Sequence, residues 1–131
     1  MQILSEVKNI RIASSEVVNY IKKTKNNVSN NMLFDIKLCV EEAVRNAITH
    51  GNNSNADLPV IVNYSINGNS VKITVEDKGK GFDVRRLPDP TLAKNLYKES
   101  GRGVYLMHKL MDKITYNSKG NIVTMEKKLE G

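Results

Sequence analysis

Glu41-Glu42-Ala43-Val44-Arg45-Asn46-Ala47-Ile48-Thr49-His50-Gly51 closes the longest strong helical pattern in the chain. Read backwards from Gly51 to Met32, the residues Leu33, Ile36, Val40, Ala43, Val44, Ala47 and Ile48 form one apolar stripe at helical spacing. The spacing predicts a helix over 32–50, capped by Asn30 or Asn31 and stopped by Gly51-Asn52-Asn53. The stripe explains the apolar residues but not the polar ones. Glu42, Asn46 and His50 are spaced by four, so on a regular helix they stack on one face and can project together into a cleft. A carboxylate and an amide oxygen there suit magnesium and a hydroxyl, since magnesium prefers oxygen donors. A solvated polar face is the competing reading, and it is preferred for Glu41 and Arg45, a surface ion pair worth about 0.3–0.5 kcal/mol.

Around this helix the periods change. Val7, Ile10, Ser14, Val17, Val18 and Ile21 predict an amphipathic helix over 5–23, followed by a polar loop at 25–31. After Pro59, Val60, Val62, Tyr64 and Ile66 alternate, as do Val71, Ile73 and Val75, with Asn67-Gly68 between them as the signal of a β-hairpin. Residues 78–102 have glycines, prolines and charges without periodicity, and they read as a lid loop. Val104, Met107, Leu110 and Met111 predict a third helix, and 114–117 with 122–125 predict two closing strands. The order implies an α/β two-layer sandwich: a mixed, largely antiparallel sheet covered on one face by three helices, in a single domain spanning 1–131.

Two more segments concentrate polar residues that packing does not require. Glu76-Asp77-Lys78-Gly79-Lys80-Gly81-Phe82 follows a strand, so Asp77 falls at the strand end, where a buried carboxylate can accept from an exocyclic amine such as that of adenine. A plain turn is the alternative. Glu99-Ser100-Gly101-Arg102-Gly103-Val104-Tyr105-Leu106-Met107 enters the third helix, where free amides and the dipole make a phosphate site, with Arg102 and Lys98 adding charge. There the alternative is a helix start with Ser100 as its cap. No P-loop pattern is present.

Together the three segments resemble the N, G1 and G2 boxes of the Bergerat-fold (GHKL) ATP-binding domains, the superfamily of gyrase, histidine kinases and MutL. Glu42-Ala43-Val44-Arg45-Asn46-Ala47 with His50-Gly51, the short lid and Glu99-Ser100-Gly101-Arg102-Gly103 look most like the bacterial anti-sigma factor serine/threonine kinases of partner-switching systems. The resemblance implies ATP and magnesium as cofactors. It implies Asn46 as metal ligand, Asp77 for adenine, and Gly79, Gly81, Gly101 and Gly103 shaping pocket and lid. The nucleotide set it implies also includes Phe82, Lys98, Ser100, Arg102, Val104 and Asn121. Glu42 would be the general base, and Arg11 on the first helix matches a family arginine near the γ-phosphate and the partner. The implied partners are a STAS-type anti-anti-sigma protein and a sigma factor. Two departures stand out: Gly120-Asn121 replaces a usual Gly-Thr, and only Gln2-Ile3-Leu4 is available as a first strand, an edge that bears on dimerisation, so a homodimer is left open. An ATP-dependent binding switch without phosphotransfer is the alternative function.

Composition fits these expectations. The 131 residues carry a net charge of +6, with 20 Lys and Arg against 14 Asp and Glu. The basic residues are spread along the chain, Trp is absent and no nucleic-acid module is recognisable, so direct nucleic-acid binding is not expected. Cys39 is the lone cysteine, and His50 and His108 the only histidines, so neither an internal disulfide nor a histidine–cysteine metal cluster is expected. Without a leader-like or membrane-length apolar run, a cytoplasmic protein away from membranes is expected.

Overall fold

The computed structural model describes residues 1–79 and 99–129, with side chains omitted for 99–102. In chain order the elements are β1 (Gln2–Leu4), α1 (Asn9–Thr24), α2 (Asn30–Asn46), a π turn (Ala47–Gly51), β2 (Pro59–Asn67), β3 (Ser70–Glu76), α3 (Glu99–Leu110), β4 (Lys113–Tyr116) and β5 (Ile122–Lys128). The strands form one sheet in the order β1-β2-β3-β5-β4, and each of these pairings is antiparallel. The sheet thus lies at the antiparallel end of what the sequence allowed.

Alternation decides the layers. Val60 and Val62 on β2, Val71, Ile73 and Val75 on β3, and Val123 and Met125 on β5 are buried in one core with Ile10, Val17 and Ile21 of α1 and Ile36, Val40 and Val44 of α2. The residues between them, Asn63, Ser65 and Lys72, are exposed, as the period of two requires when helices cover one face only. Met107 of α3 completes the helical layer. Tyr20 ties α1 to the sheet: its hydroxyl accepts from Ile66 N at 3.1 Å, and its ring lies 5.0 Å from that of Tyr64.

Element boundaries differ from expectation for local reasons. The α1 helix starts at Asn9 rather than Ser5, because Ser5 is buried and its hydroxyl donates to Leu58 O at 2.6 Å, holding that segment to the start of β2. Ser29, not Asn30 or Asn31, caps α2, with Oγ accepting from Met32 N at 3.1 Å. The hairpin loop is Gly68-Asn69, since Asn67 pairs with Ser70; Gly68 has φ 62°, and glycine first suits a type II′ turn rather than the Asn-Gly form of type I′. The α3 helix begins at Glu99, so Ser100, Gly101, Arg102 and Gly103 lie within its first turns rather than in a loop ahead of it. The remainder of the expected lid, 80–98, lies outside the described residues.

Candidate nucleotide site

The helix that opened the sequence reading does not run regularly to His50. Asn52 N donates to Ala47 O at 2.8 Å, closing a wider i→i+5 turn over Ala47–Gly51, and Ser54 N reaches Ile48 O at 2.7 Å. Such π bulges are often found at functional sites. His50, expected on one face with Glu42 and Asn46, lies in this wider turn and is exposed, whereas Glu42 and Asn46 are half-buried. The left-handed residues that end the helix are Asn53 (φ 50°) and Ser54 (φ 57°), not Gly51. Gly51 is needed for a different reason: a Cβ there would collide with the Asp77 carboxyl group, and one on Gly79 would collide with Gly51 O. The end of the first motif and the second motif are therefore in backbone contact.

Glu42 and Asn46 are half-buried and one turn apart on α2. Opposite them is Gly103 of α3, where a Cβ would stand 2.6 Å from Glu42 Oε2 and 3.7 Å from Asn46 Nδ2. A glycine lets the α3 backbone come this close without displacing the Glu42 carboxylate, and this justifies a residue that costs about 1 kcal/mol of helix propensity. Val104, next to it, is 7% exposed. Glu41, the neighbouring carboxylate, has another role. It accepts from Ser14 Oγ at 2.7 Å and pairs with Lys37 at 3.2 Å, so its helical partner is Lys37, one turn earlier, rather than Arg45.

Asp77 is 5% exposed. Burial pushes its carboxyl above the ordinary 3.8, partly offset by the amide of Gly79, which donates to Oδ1 at 3.0 Å; Glu76 adds to the rise and Lys119 opposes it. Asn121 Nδ2 donates to Asp77 O at 3.2 Å, and Asn121 Oδ1 accepts from Asn117 Nδ2 at 2.7 Å. In the sequence, Asn52 reads only as part of a helix stop. It is 2% exposed, and its amide bonds Ser5 Oγ, Pro59 O and Lys78 N at 2.9, 3.0 and 2.8 Å. A polar residue following the motif's glycine was the one available signal, and it was ambiguous because asparagine also ends helices.

The structure therefore brings together Glu42, Asn46 and Gly103, and separately joins Asp77, Gly79, Gly51 and Asn121. Arg11 is not joined to either group; it is exposed and lines a groove of about 800 Å³ with Lys8, Ile12, Tyr20, Lys23 and Tyr64. Gly81, Phe82 and Lys98 lie outside the described residues, and of Ser100, Gly101 and Arg102 only the helical backbone is described. Cys39 is fully buried, and burial pushes its thiol up to about 12. His108 is exposed.

A helical layer on an antiparallel sheet, with a carboxylate–amide pair, a buried strand-end carboxylate and a glycine-bearing helix start, defines a nucleotide-binding domain of the histidine kinase-like ATPase type. The sequence pattern of that family, the histidine kinase-like ATPase domain, matches residues 4–127, and the chain belongs to it. Among its relatives, the serine-protein kinase RsbW of Oceanobacillus iheyensis is 28% identical over 130 residues, covering 88% of this chain and 81% of the relative. The serine-protein kinase RsbW of Staphylococcus aureus is 30% identical over 129 residues, with the same coverage of each chain. Among the described residues, no helix is long and apolar enough to cross a membrane.

Proposed function

We propose that this chain is a protein serine/threonine kinase of the anti-sigma class, which transfers the γ-phosphate of ATP to a STAS-type anti-anti-sigma protein and otherwise sequesters a sigma factor in the cytoplasm, thereby regulating transcription. The observation that carries this reading is the meeting of Glu42 and Asn46 with Gly103, which sets a carboxylate and an amide against the start of a helix. Family membership implies the use of ATP.

Asp77 receives the base, its buried carboxylate accepting from the exocyclic amine of adenine. Asn46 suits magnesium, because its amide oxygen is a hard donor and this metal needs few protein ligands once phosphates and waters surround it. Bound there, magnesium would neutralise charge on the phosphates. The amides of the first turn of α3, which an α-helix leaves without intrahelical partners, together with the positive end of its dipole, suit the phosphate oxygens. Glu42 takes the proton of the partner's hydroxyl as its oxygen attacks the γ-phosphorus and the bond to the β-phosphate oxygen breaks, releasing ADP. Arg11 belongs to partner recognition: it lines a groove in which it, Lys8 and Lys23 outnumber the single carboxylate Glu16, suiting an acidic surface, and whose Ile12, 55% exposed, offers an apolar contact.

Incubation with labelled ATP, magnesium and a STAS partner from the same genome tests this reading. Label should reach a serine or threonine of the partner, and Glu42→Ala should abolish transfer while ATP still binds. Tight ATP and partner binding by the unaltered chain without any transfer would replace the kinase with the binding switch.

A further inference from the structure

The peptide between Asp77 and Lys78 is gripped on both of its polar groups. Its carbonyl oxygen accepts from Asn121 Nδ2 at 3.2 Å, and its N–H donates to Asn52 Oδ1 at 2.8 Å. Neither asparagine is free to turn. Both N–H groups of Asn52 are engaged, with Ser5 Oγ at 2.9 Å and Pro59 O at 3.0 Å, so reversing the amide would lose these bonds. Asn121 is held through Oδ1 by Asn117 Nδ2, while Asn117 Oδ1 accepts from Gly120 N and Ile122 N, both at 3.0 Å. Asn121 also accepts the N–H of Asp77 on its own carbonyl at 2.9 Å.

We propose that Asn52 and Asn121 are positioning residues that clamp the Asp77–Lys78 peptide plane and thereby aim the Asp77 carboxylate at the nucleotide base. A peptide bonded on both sides cannot rotate without breaking two hydrogen bonds. Its plane sets the backbone leading away from Asp77, and with it the Gly79 N–H that orients Oδ1 at 3.0 Å. Asn121 thus acts on the nucleotide through Asp77 rather than by contact. The inference rests on Asp77 being the base-binding group.

The test compares equilibrium binding of ATP with that of inosine triphosphate, which carries a carbonyl where adenine carries its amine. The unaltered chain should prefer ATP, and Asp77→Asn should remove that preference. Asn121→Ala, at a half-buried position that the fold can tolerate, should weaken ATP binding by roughly fivefold to tenfold and leave inosine triphosphate unchanged. Asn121→Leu, of similar volume and without the donor to Asp77 O, should behave alike. In the Asn121→Ala/Asp77→Asn double variant, the loss should not exceed that of Asp77→Asn alone. Equal weakening of both nucleotides, or an unaltered preference in the Asn121 variants, overturns the clamp. An unaltered preference in Asp77→Asn overturns the base assignment itself.

Discussion

On the proposed base-binding role, Asp77 is a residue at which stability and binding oppose one another. Its folded carboxyl sits above the ordinary 3.8 because burial disfavours the charge. A raised acid pKa makes a stability contribution that is fully present below the ordinary value and is lost as pH rises through the folded one. Asp77→Asn removes this dependence, so urea unfolding should find the variant at least as stable as the parent at pH 7, with its relative advantage shrinking as pH falls towards 4. ATP binding should nevertheless weaken to the level of inosine triphosphate, because the amide is a weaker acceptor than the carboxylate for the exocyclic amine. Gly103→Ala is the complementary case. Its methyl would stand 2.6 Å from Glu42 Oε2, so the carboxylate must move, and phosphotransfer should fall at least about tenfold with little change in melting temperature. The sequence suggested a glycine near phosphate at 103; that this glycine faces Glu42 could be learned only from the packing of α2 against α3.

Among the elements, α2 was the most legible and its two ends the least. Its stripe from Leu33 to Ile48 follows from helical spacing alone, and these residues are buried. The N-terminal end lies two residues before the expected one, because Ser29, Asn30 and Asn31 are all competent caps and only the path of the chain selects among them. Ser29→Ala should lower stability by about 1 kcal/mol in denaturant unfolding and leave nucleotide affinity unchanged. The C-terminal end was missed because a π turn has no sequence signature: it depends on Gly51 meeting Asp77 and on Asn52 finding Ser5, Pro59 and Lys78. Gly51→Ala puts a methyl into the Asp77 carboxyl, so soluble expression and ATP binding should both suffer, whereas Gly68→Ala, with nothing near but φ 62°, should cost only backbone strain of about 1 kcal/mol.

For the molecule as a whole, ligand binding and folding should be linked. ATP with magnesium at 100 times its dissociation constant should stabilise the fold by about 2.7 kcal/mol, visible as a raised melting temperature that Asp77→Asn reduces. Cys39 offers an independent gauge: with its thiol pushed up to about 12 and fully buried, it should resist thiol reagents until the domain opens, and ATP should slow its labelling. The sequence by itself determined the order of the main helices and strands, that one sheet face is covered, and which three segments concentrate polar residues that packing does not require, because periodicity and the cost of burying polar groups act locally. Tertiary structure alone decided how the opening motif meets the other two. Glu42 and Asn46 face Gly103, and Asn52 and Asn121 close on Asp77 from either side, since each of these contacts joins residues far apart in the chain and depends on the distance at which elements pack.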